Sequence, residues 1–169
     1  TVPDSEAPNL WLYDPQNPGQ THQLTSTVMG IAEFQPSPDG TRVVYVQSGI
    51  RGAPDLYLLD LQTNSVQRIT NCGAVDAMCL APAWSPDGAR IAYERRELSP
   101  DLPESDQNVP RTWIVNLRDL STAPLLASSL LLGAAPVWST DLARIAVFDL
   151  KQGGIVIYDF TTAATQSIS

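Results

Sequence analysis

Two cysteines, a single histidine and eighteen carboxylates are the residues of this 169-residue chain whose types could do chemistry. Cys72 and Cys79 lie seven positions apart in one predicted loop, Asn71–Ala81. Zinc sites pair cysteines as CxxC and add a second pair or a histidine, and neither accompanies these two. Two readings stay open for them: a local disulfide, which would point to an oxidising compartment, or two free thiols. His22 sits in THQLT, a predicted strand, without a nucleophile motif around it. It reads as a surface or half-buried strand histidine. The carboxylates fall mostly in predicted turns, and none has the setting of an acid–base pair. GxSxG, HExxH, P-loop and GxGxxG patterns do not occur. Calcium loops concentrate oxygens as DxDxDG, and no segment matches that spacing. No catalytic residue, cofactor or metal site is therefore expected.

The elements that would position any site come from an internal repeat. NLWLYD at Asn9–Asp14 returns as DLYLLD at Asp55–Asp60, RTWIVN at Arg111–Asn116 and GIVIYD at Gly154–Asp159. Between these, SPDGTRVVY at Ser37–Tyr45 returns as SPDGARIAY at Ser85–Tyr93 and, more weakly, as STDLARIAV at Ser139–Val147. The order is constant, so one unit of roughly 45–55 residues repeats, near the period of propeller blades. Each unit reads as four short strands. In the middle one Pro82–Ser85 is the first, Arg90–Arg95 begins the second, Thr112–Leu117 is the third and Pro124–Ala127 the fourth. Pro presets φ and Gly accepts positive φ in the SPDG turn between the first two. No window keeps a 3.6 period, and only Leu125–Leu132 offers a short helix as a competitor. About fourteen strands follow: two at the start, then three groups of four.

Recurring residues take structural jobs. Trp84 and Trp138 are equivalent in the first strand, with Pro36 in their place in the first copy. Trp11, Tyr57, Trp113 and Val156 are equivalent in the third strand. Large side chains at both places are expected to fill the gaps between adjacent sheets. Asp14, Asp60, Asn116 and Asp159 end the third strand and can open the next turn by accepting nearby N–H bonds. Arg42, Arg90 and Arg144 follow the first turn, and ion pairs with turn carboxylates are expected of them. The third copy has Thr140 for Pro and Leu142 for Gly, so its turn is expected to be looser.

The run PAWSPDGARIAYE with the downstream DLYLLDLQT and QRIT resembles the WD-repeat-like sheets of the TolB family, over nearly the whole chain from Asn9. The resemblance implies an all-β chain of propeller blades with four antiparallel strands each, the first strand lining a central channel. The expected layout is a linker or tether at 1–8, a half-blade at 9–25 and blades near 32–70, 80–127 and 134–169. Three and a half blades are too few to close a ring of ~4–8. Further blades or another chain are expected to complete it. On this layout the SPDG turns and the turns like Asp60–Ser65 share one rim. The second-to-third loops and inter-blade loops share the other. The second rim varies, and variable loops on a rigid scaffold carry function. Its distinctive parts are Asn71–Ala81, with Cys72 and Cys79, and the Pro-rich acidic loop Glu97–Pro110. Arg95, Arg96, Asp101, Glu104 and Asp106 are its candidate partner contacts.

Composition narrows the partners. A net charge of −8 and scattered basic residues disfavour nucleic acid and anionic membranes. No apolar run reaches the ~20 residues of a membrane span. The start, TVPDSEAP, lacks the basic and apolar regions of a signal peptide, as a mature exported chain would. The resemblance implies a non-catalytic scaffold for protein or peptide binding outside the cytoplasm, in the periplasm or at the cell surface. The alternatives are a sensor domain of a larger anchored receptor or kinase, and the gating propeller of a peptidase resembling prolyl oligopeptidases.

Overall fold

A computed structural model describes residues 7–49, 52–126, 133–151 and 153–168. Most of the expected linker, at 1–6, lies outside the described residues, and so does the greater part of Leu125–Leu132. Fourteen strands occur among the described residues, as a two-stranded sheet followed by three four-stranded antiparallel sheets. The first sheet is β1 (Trp11–Tyr13) and β2 (Thr21–Gln23). The second runs β3 (Ile31–Pro36), β4 (Arg42–Ser48), β5 (Pro54–Asp60), β6 (Val66–Arg68). The third runs β7 (Ala77–Trp84), β8 (Arg90–Glu97), β9 (Pro110–Asn116), β10 (Thr122–Pro124). The fourth runs β11 (Gly133–Trp138), β12 (Arg144–Asp149), β13 (Gly154–Asp159), β14 (Ala164–Ile168). The order within each sheet is sequential, so each is a meander, the unit of a propeller blade.

The sheets pack face to face because their middle strands are apolar on both faces. In β4, Val43 and Tyr45 point back to the two-stranded sheet, where they meet Leu10, Ile31 and Leu59. Val44 and Val46 point forward and join Leu56, Trp84, Ile91, Tyr93 and Val115 against the third sheet. Ala92 repeats the forward contact with Trp138 and Ile145 of the fourth. Burying a side chain such as Val46 or Ile91 contributes about 1.5–3 kcal/mol.

Trp84 and Trp138 close the gaps between sheets as expected. Each indole N–H donates across the interface, Trp84 to the Gln35 carbonyl and Trp138 to the Ala83 carbonyl, both at 3.1 Å. The arginines depart from expectation in two of three copies. Arg42 and Arg90 stack on the tryptophan of the following sheet, 5.0 Å from the Trp84 ring and 4.6 Å from the Trp138 ring. Arg144 alone of the three forms an ion pair among the described residues, with Asp159 at 3.1 Å. A guanidinium gains more over an indole face, partly dried by the next sheet, than beside an exposed carboxylate. Arg144 has no following indole in the described structure and takes the carboxylate.

The third-strand expectation holds for Tyr57 and Trp113 and fails for Trp11. Tyr57 packs against the cluster between the first two sheets and stacks on Tyr45, Trp113 packs against the cluster between the second and third sheets and lies under Arg95 at 4.5 Å, and Val156 is buried. Trp11 fills no gap: it is 57% exposed, because no sheet covers that face of β1. Two strand limits shift as well. β7 begins at Ala77 rather than Pro82, because the long β8 pairs all the way from Ala77↔Glu97, and a register shift between Leu80 and Ala83 absorbs Pro82. β10 spans Thr122–Pro124, ahead of the expected Pro124–Ala127; an edge strand tolerates the proline.

One rim is built alike in each four-stranded sheet. Ser37, Ser85 and Ser139 each donate to the Asp two positions on, and each hydroxyl accepts the N–H of Arg42, Arg90 or Arg144 at 2.9 Å. Asp14, Asp60, Asn116 and Asp159 open their turns by accepting backbone N–H bonds, as expected. The two kinds of turn join through Leu61 to Thr41, Leu117 to Ala89 and Phe160 to Ala143, which puts both on one rim. The third SPDG-like turn keeps the same form and is looser at its closing bond. Leu142 takes φ 63°, beside 70° and 66° for Gly40 and Gly88, and its N–H lies 3.2 Å from the Ser139 carbonyl, against 2.9 and 2.8 Å in the other two turns. A leucine held there carries strain that glycine does not.

Candidate functional site

The opposite rim is built from parts that differ from blade to blade. Its frame is a fastening that links the start of a third strand to the end of the fourth. In the first sheet the Asn9 Oδ1 accepts the Thr25 hydroxyl and the Thr27 N–H, and Thr25 accepts the Leu10 N–H. The second sheet repeats it with a carboxylate. The buried Asp55 accepts the Thr70 hydroxyl at 2.8 Å and the Cys72 N–H at 2.6 Å, while Thr70 accepts the Leu56 N–H. Sequence reasoning passed over Asn9 and Asp55, although both open the aligned segments NLWLYD and DLYLLD.

Cys72 starts a short 3-10 helix, Cys72–Val75, and Cys79 lies on β7 rather than in a loop. The two are joined as a disulfide, with Cα atoms 5.9 Å apart. Both sulfurs are buried in the core between the second and third sheets. The bridge braces Asn71–Asp76 from beneath and offers no surface to a partner. The two sulfurs and an Asp55 oxygen lie within 4.8 Å of one another. A metal would need both sulfurs as free thiolates. Here they are bonded to each other, and one Asp55 oxygen already holds two donors. The group is a fastening.

The two distinctive loops do meet. The Leu98 N–H donates to the Asp76 carbonyl at 2.7 Å, and the Asn108 N–H closes the acidic loop onto Glu97. Between them runs a hollow of about 510 Å³, lined by Gly52, Ala53, Gly73, Met78, Leu98 and Pro100. It shares Ala53 and Gly73 with a wider groove of about 700 Å³ that reaches Val28, Met29 and Arg68. Together they make one furrow across the loop rim. Apolar side chains stand exposed along it: Val28 at 92%, with Met29 and Leu98. Sequence reasoning missed Val28 and Met29, which lie in an inter-blade segment without a motif.

The candidate contacts divide. Arg95 pairs with Glu97 at 2.7 Å over Trp113, and Arg96 pairs with Glu94 at 2.9 Å. Glu94 also accepts the Ala135 N–H of the fourth sheet. Both arginines are therefore engaged within the protein. Asp101 and Glu104 are exposed on the acidic loop, Glu104 at the start of a 3-10 turn. The side chain of Asp106 lies outside the described residues. His22 is exposed on β2 opposite Leu12, with no nucleophile paired to it among the described residues. No helix among them is long and apolar enough to cross a membrane.

No family model matches the chain. It is similar to the Tol-Pal system protein TolB of Alcanivorax borkumensis, 34% identical over 56 residues, which is 33% of this chain and 12% of that protein. Among solved structures it resembles TolB from Acinetobacter baumannii, with a TM-score of 0.68 and 22% identity over 95% of this chain and 37% of that one. It also resembles a prolyl endopeptidase, with a TM-score of 0.71 and 15% identity over 97% of this chain and 26% of that one. The chain thus spans well under half the length of these relatives, and the fold it shares occurs in a Tol-Pal system protein and in a prolyl endopeptidase alike. Repeat, strand order and relatives agree: the chain is a run of β-propeller blades similar to those of TolB, among the described residues one of two strands and three of four, whose sheets do not close a ring.

Proposed function

We propose that the chain is a non-catalytic scaffold that binds a protein or peptide on its loop rim, outside the cytoplasm. The observation that carries this is the furrow itself: exposed Val28, Met29 and Leu98 line two adjoining hollows on a rigidly braced rim. Isolated apolar residues on a surface are ordinary, but a contiguous apolar trough marks an interaction site. Asp101 follows Pro100 of its lining, Glu104 is exposed on the same acidic loop, and the whole chain carries −8. A partner with apolar side chains flanked by Lys or Arg fits that surface, with the charges mainly raising the association rate. The disulfide and the Tol-Pal system relative support an oxidising, extracytoplasmic setting. Asp101→Lys with Glu104→Lys is expected to slow association with the partner and to flatten its salt dependence. Leu98→Ser is expected to speed dissociation. Surface plasmon resonance with the purified partner reads both, and unchanged rates in both variants would move the site off this rim.

A further inference from the structure

Five arginines are engaged inside the protein. Arg42 and Arg90 lie on indoles, Arg95 lies on Trp113 and pairs with Glu97, and Arg96 and Arg144 hold carboxylates. Arg68 differs. It is exposed at the end of β6, and its side chain has no hydrogen bond, ion pair or ring contact among the described residues. It stands in the lining of the wider hollow, with Val28 and Met29. Arg68 pairs across the sheet with Tyr57, so the two side chains share a face. Tyr57 packs toward the two-stranded sheet, and that is the side on which this hollow opens.

The narrower hollow carries the opposite charge. Asp76 lines it, exposed and in a left-handed conformation at φ 49°. Its backbone carbonyl takes the Leu98 N–H, while its carboxylate has no hydrogen bond or ion pair among the described residues. Asp101 follows Pro100 of the same lining. The two hollows adjoin at Ala53 and Gly73. The furrow is therefore polarised, with a cation beside Val28 and Met29 in one half and carboxylates beside Met78 and Leu98 in the other.

We propose that the furrow is specific for a peptide segment of mixed charge, an inference that rests on the furrow being the binding site. A carboxylate of the peptide sits on Arg68, apolar side chains cover Val28, Met29 and Leu98, and a Lys or Arg meets Asp76. Gln47 and Asn71 stand in the wider lining and can bond the peptide backbone. The other occupants fit less well. A peptide with cations at both ends sets like charge on Arg68, and an apolar segment without charge covers both ends and leaves each without a partner. A nucleic acid answers Arg68 but meets Asp76, Asp101 and a chain of net charge −8.

Selection of random displayed peptides on the whole chain tests the proposal, repeated on Arg68→Glu and on Asp76→Asn, which keeps a residue suited to the left-handed turn. Peptides enriched on the unaltered chain are expected to carry an Asp or Glu and a Lys or Arg on either side of apolar residues. On Arg68→Glu the acidic position is expected to turn basic, and on Asp76→Asn the basic preference is expected to fade. One selected peptide, titrated by fluorescence anisotropy, is expected to bind Arg68→Glu about tenfold more weakly. Its version with Lys for the acidic residue is expected to recover that loss, which a misfolded variant could not allow. Enriched peptides that lack the acidic residue or ignore Arg68→Glu, yet are weakened by Leu98→Ser, would overturn the mixed-charge specificity and leave the furrow as the site. Peptides that ignore Leu98→Ser and Val28→Asp as well, or a selection without enrichment, would overturn the furrow itself.

Discussion

The two rims are fastened in different ways. On the turn rim the bonds that shape each turn are short in sequence: Ser85 reaches Asp87 and Arg90, and Asp60 reaches Gln62 and Thr63. On the loop rim the fastenings are long: Asp55 reaches Thr70 and Cys72, Thr112 reaches the Gly133 carbonyl, and Glu94 reaches Ala135 in the next sheet. Local bonds need a fixed local sequence, and that is why SPDG recurs. Long bonds leave the intervening sequence free to vary. One rim is thereby committed to stability, and the other can hold variable loops rigidly enough to bind.

The largest expected effect is on the loop rim's covalent brace. Replacing Cys72 and Cys79 with alanine is expected to cost about 2–3 kcal/mol, the loop-closure value for so short a ring. Urea denaturation would measure it, and a loss under about 0.5 kcal/mol would mean that Asp55 holds the loop unaided. Next comes the turn rim. Ser85 is buried, and Ser85→Ala removes a hydroxyl with both a donor and an acceptor role, for about 1–2 kcal/mol. The same change at the half-buried Ser139 is expected to cost less, which a parallel melt would show. Leu142→Gly runs the other way. It relieves a left-handed leucine and is expected to stabilise by about 1 kcal/mol, where Gly88→Ala destabilises.

Acid separates the rims more gently. The Ser37 hydroxyl and the Thr41 N–H hold Asp39 at about 2, below its ordinary 3.8. The same kinds of donor lower Asp60, Asp87, Asp141 and Asp159. Their folded pKa lies under the unfolded one. Their stabilisation is complete above the unfolded value and drains away as pH falls through the folded values. Hydrogen exchange at falling pH is expected to show the turn rim opening before the sheet core. At the alkaline end, burial pushes Tyr45 and Tyr93 up to about 12, so the stability tied to them is complete below the ordinary value of 10.0 and is lost as pH rises toward 12.

This division also explains what the sequence disclosed. The strands, their grouping and the turn aspartates were legible because each rests on residues within a few positions of each other. The tryptophan bridges were legible from size and recurrence alone. The arginine stacks were not, since the ring under Arg42 lies in the following sheet, at Trp84. Nor was the long β7, whose limit is set by its partner β8 rather than by its own prolines. The furrow was half legible. Loop length and acidity marked Glu97–Pro110, but Val28 and Met29 acquire meaning only where Ala53 and Gly73 join the two hollows.

The central claim is that the loop rim binds and the turn rim does not. Photo-crosslinking from single positions tests it most directly, with a photoactivatable residue at Val28 or Leu98 on one rim and at Thr41 or Ala89 on the other. The account predicts crosslinks to the partner from Val28 and Leu98 and none from Thr41 or Ala89. Crosslinks from the turn rim, with none from the furrow, would contradict it.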